Sequence, residues 1–173
     1  MIDGFRPLVL IGHSGVGKSS CLRTLGIADS ADMDCEFTDL DSIPLDKTLA
    51  WLGRRLATDR IVALSAHEKM LRALTWAKQT EKYRDLLQAW CFMYLRASKS
   101  QLRARLLRPT ATGESRSQAG RRYVLQRYYE LDALFTRLTD CSIDCSGQSV
   151  EVIADQIDRQ APAPDFGTQR RYA

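Results

Sequence analysis

A glycine-rich stretch at residues 12–19 carries the clearest chemistry in the sequence. It reads GHSGVGKS and matches the pattern GxxxxGK[ST], which binds phosphate when a strand precedes it and a helix follows. The glycines let backbone N–H groups turn towards phosphate oxygens, the lysine reaches the β- and γ-phosphates, and the serine hydroxyl coordinates Mg²⁺. We therefore predict that ATP and Mg²⁺ are held by Gly12, Ser14, Gly15, Val16, Gly17, Lys18, Ser19 and Ser20.

Two aspartates, Asp39 and Asp41, follow a short predicted strand at residues 35–38. In doubly wound sheets, ligands lie at the carboxyl ends of the strands, so we expect both side chains near the γ-phosphate. We predict that Asp39 supports the metal and its waters, and that Asp41 accepts a proton from an attacking hydroxyl. The alternative for Asp41 is a cap on the helix that begins near Pro44.

The elements that must position these residues alternate along the chain. Patterns typical of buried or short parallel strands occupy residues 7–11, 35–38, 60–64, 91–95 and 141–144. Helical patterns occupy residues 18–25, 44–57, 68–88 (as one helix or two), 99–107, 121–138 and 149–159. This alternation predicts the α/β class, as a three-layer α/β/α P-loop NTPase fold with a five-stranded parallel sheet.

The 173 residues fit one domain, which we place at residues 1–160, and residues 161–173 are expected to be a disordered tail. No apolar run reaches about 18 residues and the start lacks a signal-peptide pattern, so we expect no membrane span and a cytoplasmic protein. The five cysteines form no CxxC pair, which argues against a zinc site and favours small buried thiols.

Positive charge is concentrated between residues 96 and 127. The net charge of the chain is +4, and nine basic residues in this stretch are opposed by Glu114 alone. Such a block fits an anionic ligand, either nucleotide phosphates or nucleic acid, and the alternative is a solvated helix face. Residues 108–120, which are rich in Pro, Thr, Gly and Ser, have the composition of a loop.

Two motifs of other nucleotide-hydrolysing classes are missing from the sequence. The third predicted strand runs into Ser65-Ala66-His67, so no acid follows it directly to hold Mg²⁺, and no Asn-Lys-x-Asp guanine motif occurs. Both absences argue against a GTPase switch or a motor ATPase. His67 is a candidate substrate contact, and a structural or surface role is the alternative.

These features together resemble the shikimate kinases, which are small-molecule kinases related to the nucleoside monophosphate kinases. The P-loop (residues 12–19) and Asp39-Leu40-Asp41 carry the resemblance, and it extends over most of residues 7–158. The resemblance implies ATP-dependent phosphoryl transfer to a hydroxyl of a small substrate, in a monomer or homodimer. It also implies a mobile lid at about residues 108–122, beginning at Arg108-Pro109.

The same resemblance implies roles for several arginines. Arg105 is the nearest match to an arginine that stacks on adenine from the helix before the lid. Arg108 and Arg116 match lid residues that stabilise charge on the transferred phosphoryl group. Arg121 and Arg122 are further candidates for that role.

The substrate side departs from the shikimate kinase pattern. Ser65-Ala66-His67 replaces a Gly-Gly-Gly, and the insert that carries one carboxylate-binding arginine is shorter. A second carboxylate-binding arginine aligns with Leu131, and Arg127, one turn earlier, is a candidate substitute. Because an arginine–carboxylate contact is hard to replace, we expect an acceptor other than shikimate.

The middle of the chain resembles the gluconate kinases instead. They share Ser-Ala after the third strand and a Tyr-Arg-Asp-Leu-Leu stretch, which is Tyr83–Leu87 here. The alternatives to a shikimate kinase-like enzyme are therefore a gluconate or carbohydrate kinase, a nucleotide or polynucleotide 5′-hydroxyl kinase, and a non-catalytic ATP-binding regulator.

Overall fold

The computed structural model describes residues 6–33, 43–64, 68–107 and 118–161. The strands in these ranges are β1 (Leu8–Ile11), β2 (Ile61–Ala63), β3 (Cys91–Arg96) and β4 (Cys141–Asp144). The helices are α1 (Lys18–Thr24), α2 (Leu45–Leu56), α3 (Glu68–Gln79), α4 (Glu81–Gln88), α5 (Lys99–Leu107), α6 (Gln118–Gln126), α7 (Tyr128–Leu138) and α8 (Val150–Gln160). A single turn of 3₁₀-helix covers Asp29–Ala31.

The strands form one parallel sheet in the order β2-β1-β3-β4. Leu10 pairs with Ala63 on one side and with Met93 on the other, which places β1 between β2 and β3. The chain leaves β1 for β2 on one side and later crosses to β3 on the other side. In such sheets the usual ligand position is at the carboxyl end of the strand where the order reverses, and the P-loop begins there, after β1.

The strands around the start of the P-loop are apolar because they are covered on both faces. All four residues of β1 and all three of β2 are fully buried, as expected for parallel strands between helices. The largest fully buried side chains include Trp51 of α2, Phe92 and Tyr94 of β3, and Phe135 of α7. The P-loop is therefore attached to the most deeply buried part of the sheet.

Contacts between the helices divide them into groups. Helix α1 packs against α8, whereas α3 packs against α4 and α7. The side chain of Ser149 caps α8 by accepting a hydrogen bond from the Val152 N–H at 3.4 Å. Within the described ranges, no helix combines the length and the apolar character that crossing a bilayer requires.

A glycine turn ends α1 and directs the chain to the outer edge of β2. Gly26 has a φ of 68°, and its N–H donates to the Arg23 carbonyl at 3.0 Å while the Ile27 N–H donates to that of Leu22 at 2.9 Å. This is the Schellman arrangement of a helix C-terminus. The 3₁₀ turn follows, and Asp32 then forms a parallel bridge with Ala63.

The predicted α/β class and the parallel sheet are confirmed. The described residues contain four of the five predicted strands, and the fifth, at residues 35–38, lies outside them. The predicted helix at residues 68–88 is two helices, and that at residues 121–138 is divided at Arg127. Residues 108–117 of the predicted lid lie outside the described residues, whereas residues 118–122 belong to α6. Residues 162–173 of the predicted tail also lie outside them.

Candidate active site

The loop after β1 passes through glycine at its turns. Gly12, Gly15 and Gly17 have φ angles of 150°, 91° and 112°, a region that residues with a side chain rarely adopt. A Cβ atom at Gly12 would also lie 2.7 Å from the carbonyl oxygen of Leu95. The glycines of the pattern are therefore required both by backbone conformation and, at Gly12, by close packing on β3.

Lys18 begins α1 and turns back over the P-loop. Its side-chain nitrogen donates a hydrogen bond to the Gly12 carbonyl at 2.9 Å and lies 3.5 Å from the His13 carbonyl. Only 7% of the residue is exposed. Ser14 is exposed on the loop, and Ser19 and Ser20 lie half-buried in the first turn of α1. The predicted P-loop residues thus lie together on one connection between a buried strand and a helix.

Arg105 joins this loop to the end of β4. From α5, its guanidinium group donates to the Val16 carbonyl at 2.7 Å and to the Cys145 carbonyl at 2.8 Å. No carboxylate of the described residues pairs with it. Because backbone carbonyls orient the group without cancelling its charge, Arg105 remains a fixed cation between the P-loop and the β4–α8 loop.

His13 occupies the variable part of the P-loop pattern. The ring is buried and stacks on Tyr128 with centroids 4.6 Å apart, and its edge contacts Phe135 at 5.1 Å. Neither ring nitrogen has a hydrogen-bond partner among the described residues. Burial lowers the pKa of His13 to about 4, despite the opposing charge of Asp132. The neutral imidazole therefore connects the P-loop to α7 by packing.

Asp32 is an acid that the sequence reasoning missed. It is 2% exposed and bridges the outer side of Ala63, which is in register with Leu10, two residues before Gly12. Asp32 and Asp34 have the same i, i+2 spacing as Asp39 and Asp41. Gly26 was the signal in the sequence that could have indicated Asp32. A glycine there ends α1, so the chain reaches the sheet edge at Asp32, earlier than the strand predicted at residues 35–38.

Arg127 was the candidate substitute for a carboxylate-binding arginine, and its guanidinium group already binds carboxylates of this chain. It forms an ion pair with Glu68 of α3 and a second one with Glu130 at 2.7 Å. Glu68 also pairs with Arg72 at 2.9 Å. The hydrogen bonds from Arg127 and Arg72 lower the pKa of Glu68, so this carboxylate stays ionised at neutral pH.

Several predicted site residues lie outside the described residues: Asp39, Asp41, His67, Arg108 and Arg116. Their roles stay predictions. Arg121 and Arg122 lie on α6. Within the described ranges, no group of three or more His, Cys, Asp or Glu side chains is arranged to hold a metal.

Solved structures of shikimate kinases are among those that match the chain over most of its length. Shikimate kinase from Bacteroides thetaiotaomicron matches with a TM-score of 0.56 and 11% identity, over 90% of this chain and 98% of that one. Shikimate kinase from Acinetobacter baumannii, in complex with shikimate, matches with a TM-score of 0.53 and 13% identity, over 91% of this chain and 93% of that one. The chain has the P-loop fold of the shikimate kinases.

This likeness shows the fold alone. At a sequence identity of 11–13%, a shared fold does not show that this chain acts on the same substrate. No protein-family model and no curated protein matches the sequence. The resemblance of residues 83–87 to gluconate kinases stays a prediction. What this chain acts on must therefore be argued from its own residues.

Proposed function

We propose that this chain is an ATP-dependent kinase that transfers the γ-phosphoryl group to a hydroxyl of a small molecule other than shikimate. The observation that carries the proposal is the position of Lys18, whose ammonium group is held on the Gly12 carbonyl at the carboxyl end of a central strand. A fold shared with shikimate kinases supports the same reaction class. The acceptor differs because the arginine nearest to a carboxylate-binding position is already paired.

The donor half of the site consists of the P-loop, Lys18 and Arg105. The loop amides and Lys18 bind the β- and γ-phosphates of ATP and hold the γ-phosphorus in place. Arg105 lies between the Val16 and Cys145 carbonyls, and in the proposed complex its guanidinium plane supports the adenine. The lid arginines, Arg108 and Arg116, are proposed to close over the phosphates and to exclude water.

Mg²⁺ is proposed to bind with the nucleotide, held by the hydroxyl of Ser19 and by a carboxylate. Hydroxyl and carboxylate oxygens are ligands that Mg²⁺ prefers, and the bound ion neutralises charge on the phosphates. Asp39 was predicted for this role. We favour Asp32, because it is a buried acid beside Ala63 at the level of the sheet where the P-loop begins.

In the proposed transfer, the acceptor hydroxyl oxygen bonds to the γ-phosphorus while the bond to the β–γ bridging oxygen breaks and ADP leaves. The hydroxyl proton goes to an aspartate two residues beyond the metal-supporting acid. Our preferred pair is therefore Asp32 and Asp34, and the pair predicted first is Asp39 and Asp41. Their equal spacing makes the two assignments directly comparable.

Acceptor-dependent release of ADP tests the proposal. A panel of sugars, polyols, hydroxy acids and a 5′-hydroxyl oligonucleotide is supplied with ATP and Mg²⁺, and ADP is measured with and without each compound. We expect a small hydroxylated compound to stimulate release. If no compound does so while ATP binds normally, the chain is a nucleotide-binding protein and not a kinase.

Four matched variants then assign the acids: Asp32→Asn, Asp34→Asn, Asp39→Asn and Asp41→Asn. Loss of a positioned base or metal ligand costs about 100-fold in turnover, whereas an acid outside the site costs little. We expect the first two variants to lose turnover and the last two to retain it. The reverse pattern would restore Asp39 and Asp41 to the roles predicted from the sequence.

A further inference from the structure

Arg127 and Glu68 form an ion pair, although they are 59 residues apart in the chain. Glu68 is the first residue of α3, which follows the carboxyl end of β2. Arg127 directly precedes α7, and the first residue of that helix, Tyr128, stacks on His13 of the loop. Both charged groups therefore lie on the side of the sheet where the acceptor must approach the γ-phosphate.

The two carboxylate partners of Arg127 differ in their exposure to water. The Glu68 side chain is 19% exposed, while Glu130, the other partner of Arg127, is 51% exposed and reached by water. The Arg127 side chain itself is 38% exposed, so part of its guanidinium group can meet a ligand. The positive charge of Arg127 is thus neutralised mainly by Glu68, the less exposed of its two carboxylate partners.

Resting on the kinase function proposed above, we propose that Glu68 is the internal counter-ion of Arg127 and restricts the acceptor to uncharged polyols. A carboxylated acceptor would have to displace Glu68 from the guanidinium group and would leave that carboxylate with Arg72 alone. A neutral acceptor displaces nothing, because its hydroxyl oxygen needs one N–H of the partly exposed Arg127 side chain and does not need its charge. The proposed preference for uncharged acceptors thus results from the Glu68–Arg127 ion pair, which leaves Arg127 no unpaired positive charge for a substrate carboxylate.

Binding of two matched pairs of compounds tests this inference. Sorbitol and gluconate differ at one end by a carboxylate, and so do shikimate methyl ester and shikimate. Each is titrated by calorimetry into protein saturated with a non-hydrolysable ATP analogue and Mg²⁺. We expect the wild-type protein to bind the neutral member of at least one pair more tightly than its carboxylated partner.

Glu68→Gln is the decisive variant, because glutamine still accepts a hydrogen bond from Arg127 and removes only the charge. We expect this variant to bind gluconate or shikimate about tenfold more tightly than the wild type, the gain typical of a newly available charge-assisted contact. Glu130→Gln is the matched control, with the same charge change on the same arginine at an exposed position. It should change these affinities by less than about twofold.

Three results would overturn the inference: tighter wild-type binding of the carboxylated members, equal behaviour of the Glu68 and Glu130 variants, or no binding of any compound to a folded Glu68→Gln protein. If that variant does not fold, Arg127→Gln replaces it, with the expectation that neutral compounds bind more weakly and carboxylated ones are unaffected. These titrations involve no turnover, so failure of the kinase proposal appears separately, as absent ADP release.

Discussion

Arg105 and Arg127 belong to the same basic stretch of the sequence but have opposite surroundings. Arg105 donates to the carbonyls of Val16 and Cys145, and no carboxylate of the described residues pairs with it. Arg127 pairs with the carboxylates of Glu68 and Glu130. Arg105 therefore retains a net positive charge, whereas the positive charge of Arg127 is largely neutralised by carboxylates of the protein.

The difference teaches that a count of basic residues does not measure the charge a ligand meets. Backbone carbonyls fix a guanidinium group by hydrogen bonds and leave a net positive charge, whereas a carboxylate fixes it and cancels that charge. In the function proposed above, Arg105 belongs to the half of the site that binds the nucleotide. Arg127 belongs to the half proposed to take a neutral acceptor.

The largest expected effect tests whether the donor half binds phosphate at all. Lys18→Ala removes the ammonium group held on Gly12, and we expect acceptor-dependent ADP release to fall by about 100-fold or more, because charge on the transferred phosphoryl group loses its stabilisation. Steady-state rates measure the loss, and thermal unfolding checks that the variant is folded. Unchanged ATP affinity and turnover would remove the basis of the whole comparison.

An intermediate effect compares the two arginines directly. We expect Arg105→Met to weaken binding of an ATP analogue about tenfold, since two oriented hydrogen bonds and a cation are lost, and Arg127→Met to weaken it less than about twofold. Arg103→Met, at an exposed position on the same helix as Arg105, is the control. Calorimetry measures the affinities, and equal losses at Arg105 and Arg127 would contradict the division into two halves.

The remaining prediction concerns stability and not turnover or affinity, and it tests the contact of the neutral His13 ring with Tyr128, which joins the P-loop to α7. The pKa of His13 is lowered from 6.5 to about 4. Between pH 4 and pH 6.5, His13 is therefore protonated in the unfolded chain but neutral in the folded protein. The free energy of unfolding should therefore fall as the pH drops from 6.5 to 4, by up to about 3 kcal/mol from this residue. Above pH 6.5 the ring is neutral in both states and contributes no pH dependence.

His13→Phe keeps an aromatic ring against Tyr128 and removes the titrating group. Denaturant unfolding at several pH values, on both proteins, should show a shallower pH dependence for the variant between pH 4 and 6.5. Parallel curves for the two proteins would mean that the folded protein accommodates a protonated His13. The connection between the P-loop and α7 would then involve charge after all.

Much of the fold could be predicted because its signals are local. Residues 141–144 were predicted as a strand and form β4, and the helical pattern at residues 99–107 forms α5. The break at Arg127 escaped prediction, since apolar periodicity continues on both sides of it. Asp32 escaped for a similar reason, because a single bridge to Ala63 leaves no strand-like run in the sequence.

The sequence by itself determined the phosphate-binding loop, because eight consecutive residues contain both the glycines that permit its backbone and the lysine that folds onto it. Only the tertiary structure decided how the basic stretch is used. Arg105 meets Val16 across 89 residues and Arg127 meets Glu68 across 59, and no local pattern encodes either pairing. The partner of a charge depends on which elements the sheet brings together, and that partner decides whether the charge is available to a ligand.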